Sequence, residues 1–264
     1  MSVIKFWPKF RNRYRSLQSS LRYKRPYQMN NTRPIISFTF DDVPKSSCVR
    51  GGQILKEYAL SATYYLSMHL MDRVYSIGTA FSRNDLANII AAGHEIGCHT
   101  YGHLDAWNTN PDVFEASIRE NQSKLDEIYP GKAFKTFSYP INTPRPRIKQ
   151  EAGEYYICCR GGGQTYNSNT IDLNLLKGYF IDKRNRDNRD SIVKIIIESR
   201  DNNGWLIFCT HDIGENPSPY GCTPQLLEDL VRYSDRSGAR ILPVYDACIL
   251  LGITKQYGAD PLAR

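Results

Sequence analysis

From residue 34 onward, short β-branched and aromatic runs alternate with amphipathic stretches, and this alternation restricts the architecture more than any other property of the chain. The runs at 34–40 (PIISFTF), 61–68 (SATYYLSM), 94–99 (HEIGCH), 134–140 (FKTFSYP), 155–160 (YYICCR), 204–211 (GWLIFCTH) and 239–244 (ARILPV) read as strands. Helical stretches separate them. One is expected over 82–93, where Ser82 caps its start and Gly93 ends it, and a long one starts from Pro111. Successive βα units predict a parallel sheet with right-handed crossovers, and about seven of them predict a barrel. A single domain of this kind accommodates 264 residues.

In such a barrel the loops at the carboxyl ends of the strands hold the active site. Here those ends carry Asp41 and Asp42, then His99 and His103 in HEIGCHTYGH, then FSYPINTP, then His211 and Asp212. A spacing of four puts both imidazoles of His99 and His103 on one side of a turn or helix. Two neutral imidazoles and one carboxylate, from Asp42 or Asp41, make a three-ligand site with room for water, which suits catalytic Zn2+. The neighbouring aspartate is then free to handle protons.

Four fragments, TFDD at 39–42, HEIGCHTYGH at 94–103, FSYPIN at 137–142 and LIFCTHD at 206–212, resemble the NodB-homology polysaccharide deacetylases, also called carbohydrate esterase family four. They occur in the family's order over residues 34–250. The resemblance implies an α/β fold, a distorted (β/α)7 barrel, and hydrolysis of N-acetyl groups on a carbohydrate with one divalent metal, Zn2+ first. It implies Asp42, His99 and His103 as metal ligands, Asp41 as general base and His211 as general acid. The backbone N–H of Ile141, in the turn made by Ser138, Tyr139, Pro140 and Ile141, is implied as an oxyanion donor.

Several positions depart from the family pattern. Ser138 stands where the family has an arginine that orients the base, so Arg145, Arg147 or Arg160 must reach in to hold Asp41 ionised. Ile141 replaces a tyrosine, Cys209 replaces a leucine, and the family's fourth motif, an aspartate and a tryptophan, is not found over 160–176. Trp107 and Tyr220 offer aromatic faces to a sugar ring or simple packing. His69 and His94 read as structural, and the RGGG run at 160–163 lacks the remainder of a phosphate-binding fingerprint. Two other functions stay open: the same metal site acting on a non-sugar amide, and a catalytically impaired carbohydrate-binding relative.

Charge divides the chain at residue 33. Residues 1–33 hold nine basic and no acidic residues, leaving 25 basic against 27 acidic in 34–264, so the net charge of +7 belongs to the arm. The body is no nucleic-acid binder by charge. Phe10, Tyr14, Leu17 and Leu21 line one face of a helix whose remainder is arginine-rich, a pattern suited to an anionic membrane surface. A disordered basic arm and a mitochondrial presequence share its composition. Without a signal-peptide core, and with seven irregularly spaced cysteines, the expected location is cytoplasmic, peripheral on the inner face of a membrane.

Overall fold

The computed structural model describes residues 6–141 and 143–254, with side chains from residue 11 onward. The side chain of Phe10, first in the arm's apolar stripe, lies outside the described residues. The arm forms α1 (Phe6–Leu21) and β1 (Pro26–Gln28). The body follows with β2 (Ile35–Asp41), a π-helical turn over Ser47–Gly51 that runs into α2 (Gly52–Glu57), and β3 (Thr63–Leu66). A small hairpin, β4 (Val74–Tyr75) and β5 (Gly78–Thr79), precedes α3 (Arg83–Ala91), β6 (Glu95–Cys98), α4 (Pro111–Ile128) and β7 (Thr136–Ser138). Then come α5 (Pro146–Tyr155), β8 (Cys158–Arg160), β9 (Thr170–Asp172), β10 (Tyr179–Phe180) and α6 (Arg189–Asp201). Next, β11 (Trp205–Thr210), α7 (Pro224–Arg236), β12 (Arg240–Ile241) and α8 (Val244–Leu250) complete the described chain.

The sheet is parallel and curls in the order β10-β11-β2-β3-β6-β7-β8. Among the described residues no ladder joins β8 to β10, so the barrel is open there. Its distortion has a local cause in β2. The first residues of β2 pair with β12 (Arg240 to Ile35, Ile241 to Ile36), whereas its last residues pair with β3 (Thr39 to Thr63 through Asp41 to Tyr65). Two strands thus share one edge of β2. Helix starts follow the expected chemistry: Ser82 and Asp85 form a capping box on α3, and Asn110 caps α4 ahead of Pro111.

Every residue of β2 is buried, as expected for a strand covered on both faces. Alternation decides which layer each side chain joins. Ile36, Phe38 and Phe40 pack with Leu206 and Phe208 in one cluster, while Ile35 joins Trp205, Ile207 and Cys209 in the other. The Trp205 indole N–H donates to Ser37 Oγ at 3.0 Å, so this large side chain is buried without an orphaned donor. Beyond α1, the arm is sewn to the body: β1 pairs antiparallel with β9, and the Arg25 guanidinium donates to the carbonyls of Gly153, Tyr156 and Ile157.

At the opposite end of the sheet from the loops discussed below, Glu95 ties three elements together. Its carboxylate accepts from Thr63 Oγ1 (2.6 Å), from Thr136 Oγ1, and from the Tyr245 N–H at the start of α8 (2.9 Å). Burial pushes its carboxyl up to about 7, against those three donors. A carboxyl raised on folding favours the folded state while protonated, so this contribution is present below about pH 4.5 and is lost as pH rises towards 7. Because Glu95 is only half-buried, the loss is discounted to about 2 kcal/mol. Glu95→Gln, which stays neutral while the threonine hydroxyls rotate to suit, is expected to gain about that much relative to the native protein between pH 5 and pH 8. Urea denaturation of both proteins at the two pH values measures it, and an unchanged difference would discard this account.

Candidate active site

Asp41 and Asp42 close β2 side by side, and in a continuing strand their side chains would diverge. The backbone prevents that. Asp42 adopts a left-handed conformation (φ 57°), as do His103 and Ile141, so that three of the eleven such non-glycine residues among those described line one cavity, and two more, Val43 and Thr100, directly follow the lining residues Asp42 and His99. Backbone strain of this kind persists only where the surroundings over-determine it. For the histidine loop, α4 supplies the clasp: Ser117 Oγ accepts from the N–H groups of Tyr101 and Gly102 at 3.0 and 3.2 Å.

This turn brings His99 and His103 to Asp42. Asp42 Oδ1 lies 3.7 Å from His99 Nε2 and 3.3 Å from His103 Nε2, and the three ligand atoms all fall within 4.8 Å of one another. The His99 Nδ1–H donates to the Ser138 carbonyl at 2.7 Å, which leaves Nε2 directed at Asp42. Burial lowers the His99 imidazole to about 4, so at neutral pH it is an uncharged ligand. Asp42 Oδ1 is buried and accepts no hydrogen bond within the protein. An orphaned carboxylate oxygen facing two imidazole nitrogens is costly unless a cation completes it, so the residues fit a divalent metal.

Asp41 is oriented differently, towards the interior of the sheet. Its Oδ1 accepts from Arg160 Nη2, and the same nitrogen donates to Ser138 Oγ at 2.5 Å. Arg160 is wholly buried at the end of β8, its guanidinium 5.0 Å from the Tyr65 ring and 5.3 Å from that of Phe180. Burial pushes the Asp41 carboxyl up, but the Arg160 charge, with help from His99 and His211, more than offsets this and holds it below the ordinary carboxylate value. Since His99 is neutral at pH 7, Arg160 carries most of that effect there. The arginine absent at position 138 is therefore supplied by the facing position of the next strand, where Ser138 and Arg160 are register partners.

On the far side of the cavity, the His211 Nδ1–H donates to the Tyr220 carbonyl at 3.3 Å, and its Nε2 lies 4.0 Å from Asp42 Oδ2. The loop carrying Tyr220 folds back on Asp212, whose carboxylate accepts from the Ser218 N–H and hydroxyl. Gly221 is required in that loop, because a Cβ there would meet the Asp212 carbonyl oxygen at 2.3 Å. Ile141 is 60% exposed at the cavity wall, and its N–H has no partner among the described residues, whereas the Tyr139 N–H is taken by the Arg160 carbonyl. Pro140 is buried between them.

The cavity, about 440 Å³, is lined by Asp41, Asp42, His99, His103, His211 and Ile141, with Tyr139 and Tyr220 completing the predicted residues on its wall. Trp107 is not among them: of the two roles open to it, the structure places it in packing, with the guanidinium of Arg15 on α1 5.2 Å from its ring. Sequence reasoning missed Phe180, Asp182, Lys183 and Arg184 on the wall, where Asp182 is paired with Arg184. Their signal was an apolar run ending in an acid, YFID at 179–182, the same signature that marked β2.

The family profile for polysaccharide deacetylases matches residues 28–157, a span that contains Asp41, Asp42, both metal-site histidines and the Ser138–Ile141 turn. Those residues, 28–157, belong to the polysaccharide deacetylase family. Its remaining motif, the His211 strand end, lies beyond the matched span of the deacetylase profile. Among curated relatives, a peptidoglycan-N-acetylglucosamine deacetylase of Bacillus cereus is 29% identical over 104 residues, 38% of this chain and 44% of that protein, so the match spans under half of the relative. Two solved structures share the deacetylase fold at a TM-score of 0.60. The Xyl-CE4 domain of a multidomain xylanase from the hindgut metagenome of Trinervitermes trinervoides is 20% identical and covers 84% of this chain and 93% of that one. A family 4 acetyl xylan esterase from Clostridium thermocellum, in complex with a cobalt ion, is 22% identical and covers 83% and 93%.

Proposed function

We propose that this protein is a metal-dependent hydrolase that removes N-acetyl groups from a carbohydrate. The observation that carries the reading is the buried, unpartnered Asp42 Oδ1 facing two histidine nitrogens, beside a second carboxylate that is held ionised. Asp42, His99 and His103 would hold one divalent ion, Zn2+ being suited to two imidazoles and a carboxylate, supplying Lewis-acid polarisation of the acetyl carbonyl and a more acidic water. Asp41 takes the proton from the attacking water. The Ile141 N–H donates to the developing oxyanion, at a backbone position that a side-chain change does not remove. His211, whose Nδ1–H is committed to a carbonyl, presents Nε2 to protonate the leaving amine.

A carbohydrate substrate is supported by the family and by the exposed Tyr220 ring on the cavity wall, which is available for stacking. The seven cysteines are all free thiols, which supports action in a reducing compartment such as the cytoplasm. The test is metal content measured alongside acetate release from N-acetylated sugars. His99→Ala is expected to lose the bound divalent ion at neutral pH, with at least ~10-fold weaker affinity, while circular dichroism reports an intact fold. Unchanged metal content in that variant would remove the assignment.

A further inference from the structure

Amphipathic helices on a protein surface normally turn their apolar stripe inward. α1 does the reverse. At about 100° per residue, Tyr14, Leu17 and Leu21 fall within roughly 60° of one another and Ser19 about 140° round from Tyr14. It is Ser19 that is buried, while Tyr14, Leu17 and Leu21 are 55%, 53% and 60% exposed. Polar contacts hold the inner face. Lys149 Nζ donates to the carbonyls of Ser19 and Arg22, both at 2.8 Å, and Arg15 donates to Asn108 Oδ1 at 2.9 Å. Among the described side chains, the helix is thus anchored to the body without using Tyr14, Leu17 or Leu21.

The charge around that stripe identifies what covers it. Arg11 and Arg13 flank it on either side, Arg22 and Lys24 follow it, and all four are exposed. Among the described residues none of them has an ion-pair partner, and residues 1–33 contain no acid. An apolar ridge between unpaired guanidinium groups matches an interfacial lipid layer, in which the ridge enters the acyl boundary and the cations meet anionic headgroups. We propose that the outward face of α1 is a docking surface for an anionic phospholipid bilayer.

The placement of the helix gives this docking a consequence. α1 lies along the loop face that carries the metal-site residues: Arg15 reaches the loop after β6, and Ser16, Ser19 and Ser20 line a cavity of about 410 Å³ with Thr143 after β7 and Gly162 and Gly163 after β8. A docked helix therefore sets the mouth of the candidate active site beside the bilayer. None of this depends on the activity of that site.

Co-sedimentation of the full chain with vesicles of phosphatidylcholine containing about a quarter phosphatidylserine tests the proposal. Binding is expected at low salt, ~10-fold weaker to pure phosphatidylcholine and weaker again as salt rises. Leu17→Ser with Leu21→Ser, both exposed, is expected to lower binding by at least ~10-fold without changing thermal unfolding. Arg11→Glu with Arg13→Glu is expected to lower it and to flatten the salt dependence. No binding to the anionic vesicles at low salt, binding unaffected by the paired serines, or a solution dimer that those serines dissociate would each overturn it.

Discussion

Asp41→Asn is expected to keep its metal and lose at least ~10²-fold in turnover, the scale of a positioned general base. Asparagine retains an oxygen that Arg160 can bond, so the side chain stays oriented while its ability to take a proton disappears. Removing the negative charge leaves a buried guanidinium without its counter-ion, and a fall in stability accompanies the fall in rate. The two effects separate in a single-turnover assay well below the melting temperature, where the protein is folded and only the chemistry is slow. His211→Ala is expected to lose turnover similarly and with little effect on stability, since His211 is at the cavity surface and its one hydrogen bond is to a loop carbonyl. Near-normal acetate release by Asp41→Asn would mean that the proton goes elsewhere. The assignment of Asp42 as the ligand would survive that result, because it rests on the unpartnered Oδ1 and the two imidazoles.

The parts of the site that could be read in the sequence are those fixed by strand ends. A parallel barrel presents its carboxyl ends together, so the placement of Asp41, Asp42, His99, His103 and His211 followed from the βα alternation and from chemistry that such ends carry. Pairing between strands leaves no comparable trace. Three arginines were candidates to replace the one absent at position 138, and nothing along the chain separates them. The structure does. Arg145 is exposed at the start of α5, and Arg147 lies on the surface with Asp112 and Glu151. Arg160 alone of the three is buried, because β8 pairs with β7 in the register that sets it opposite Ser138.

Short elements were the other loss. β10 contains two residues, too few for a periodicity, and with it went Asp182 and its neighbours on the cavity wall. The choice between the two roles of Trp107 is tertiary, since its partner Arg15 comes from a helix about 90 residues earlier, a separation that no local pattern encodes. α1 was legible as an amphipathic helix but not as one that docks by its polar face. That depends on Lys149, buried in α5 and bonded to Asp172 as well as to two arm carbonyls.

Arg160 accordingly offers the sharpest test of how this chain differs from the family pattern. Arg160→Met is expected to destabilise the protein by about 3–5 kcal/mol, the range for removing one partner of a buried ion pair. It should also act on the base itself. With the guanidinium gone, burial is no longer offset, the Asp41 carboxyl rises, and the ionised form that accepts a proton is reached only at higher pH. The acid limb of kcat/KM should therefore move upward, leaving the variant more impaired at pH 6 than at pH 9. A merely structural arginine would lower stability without moving that limb. Because Ser138 and Arg160 face each other across β7 and β8, the exchange of the two residues is informative: Arg160→Ser together with Ser138→Arg returns a guanidinium to the same space from the opposite strand. That double variant is expected to recover the native acid limb, and most of the lost stability, relative to Arg160→Ser alone, a coupling that a double-mutant cycle quantifies. If the limb stays displaced in the exchanged protein, or never moves in Arg160→Met, then Arg160 does not set the charge state of Asp41.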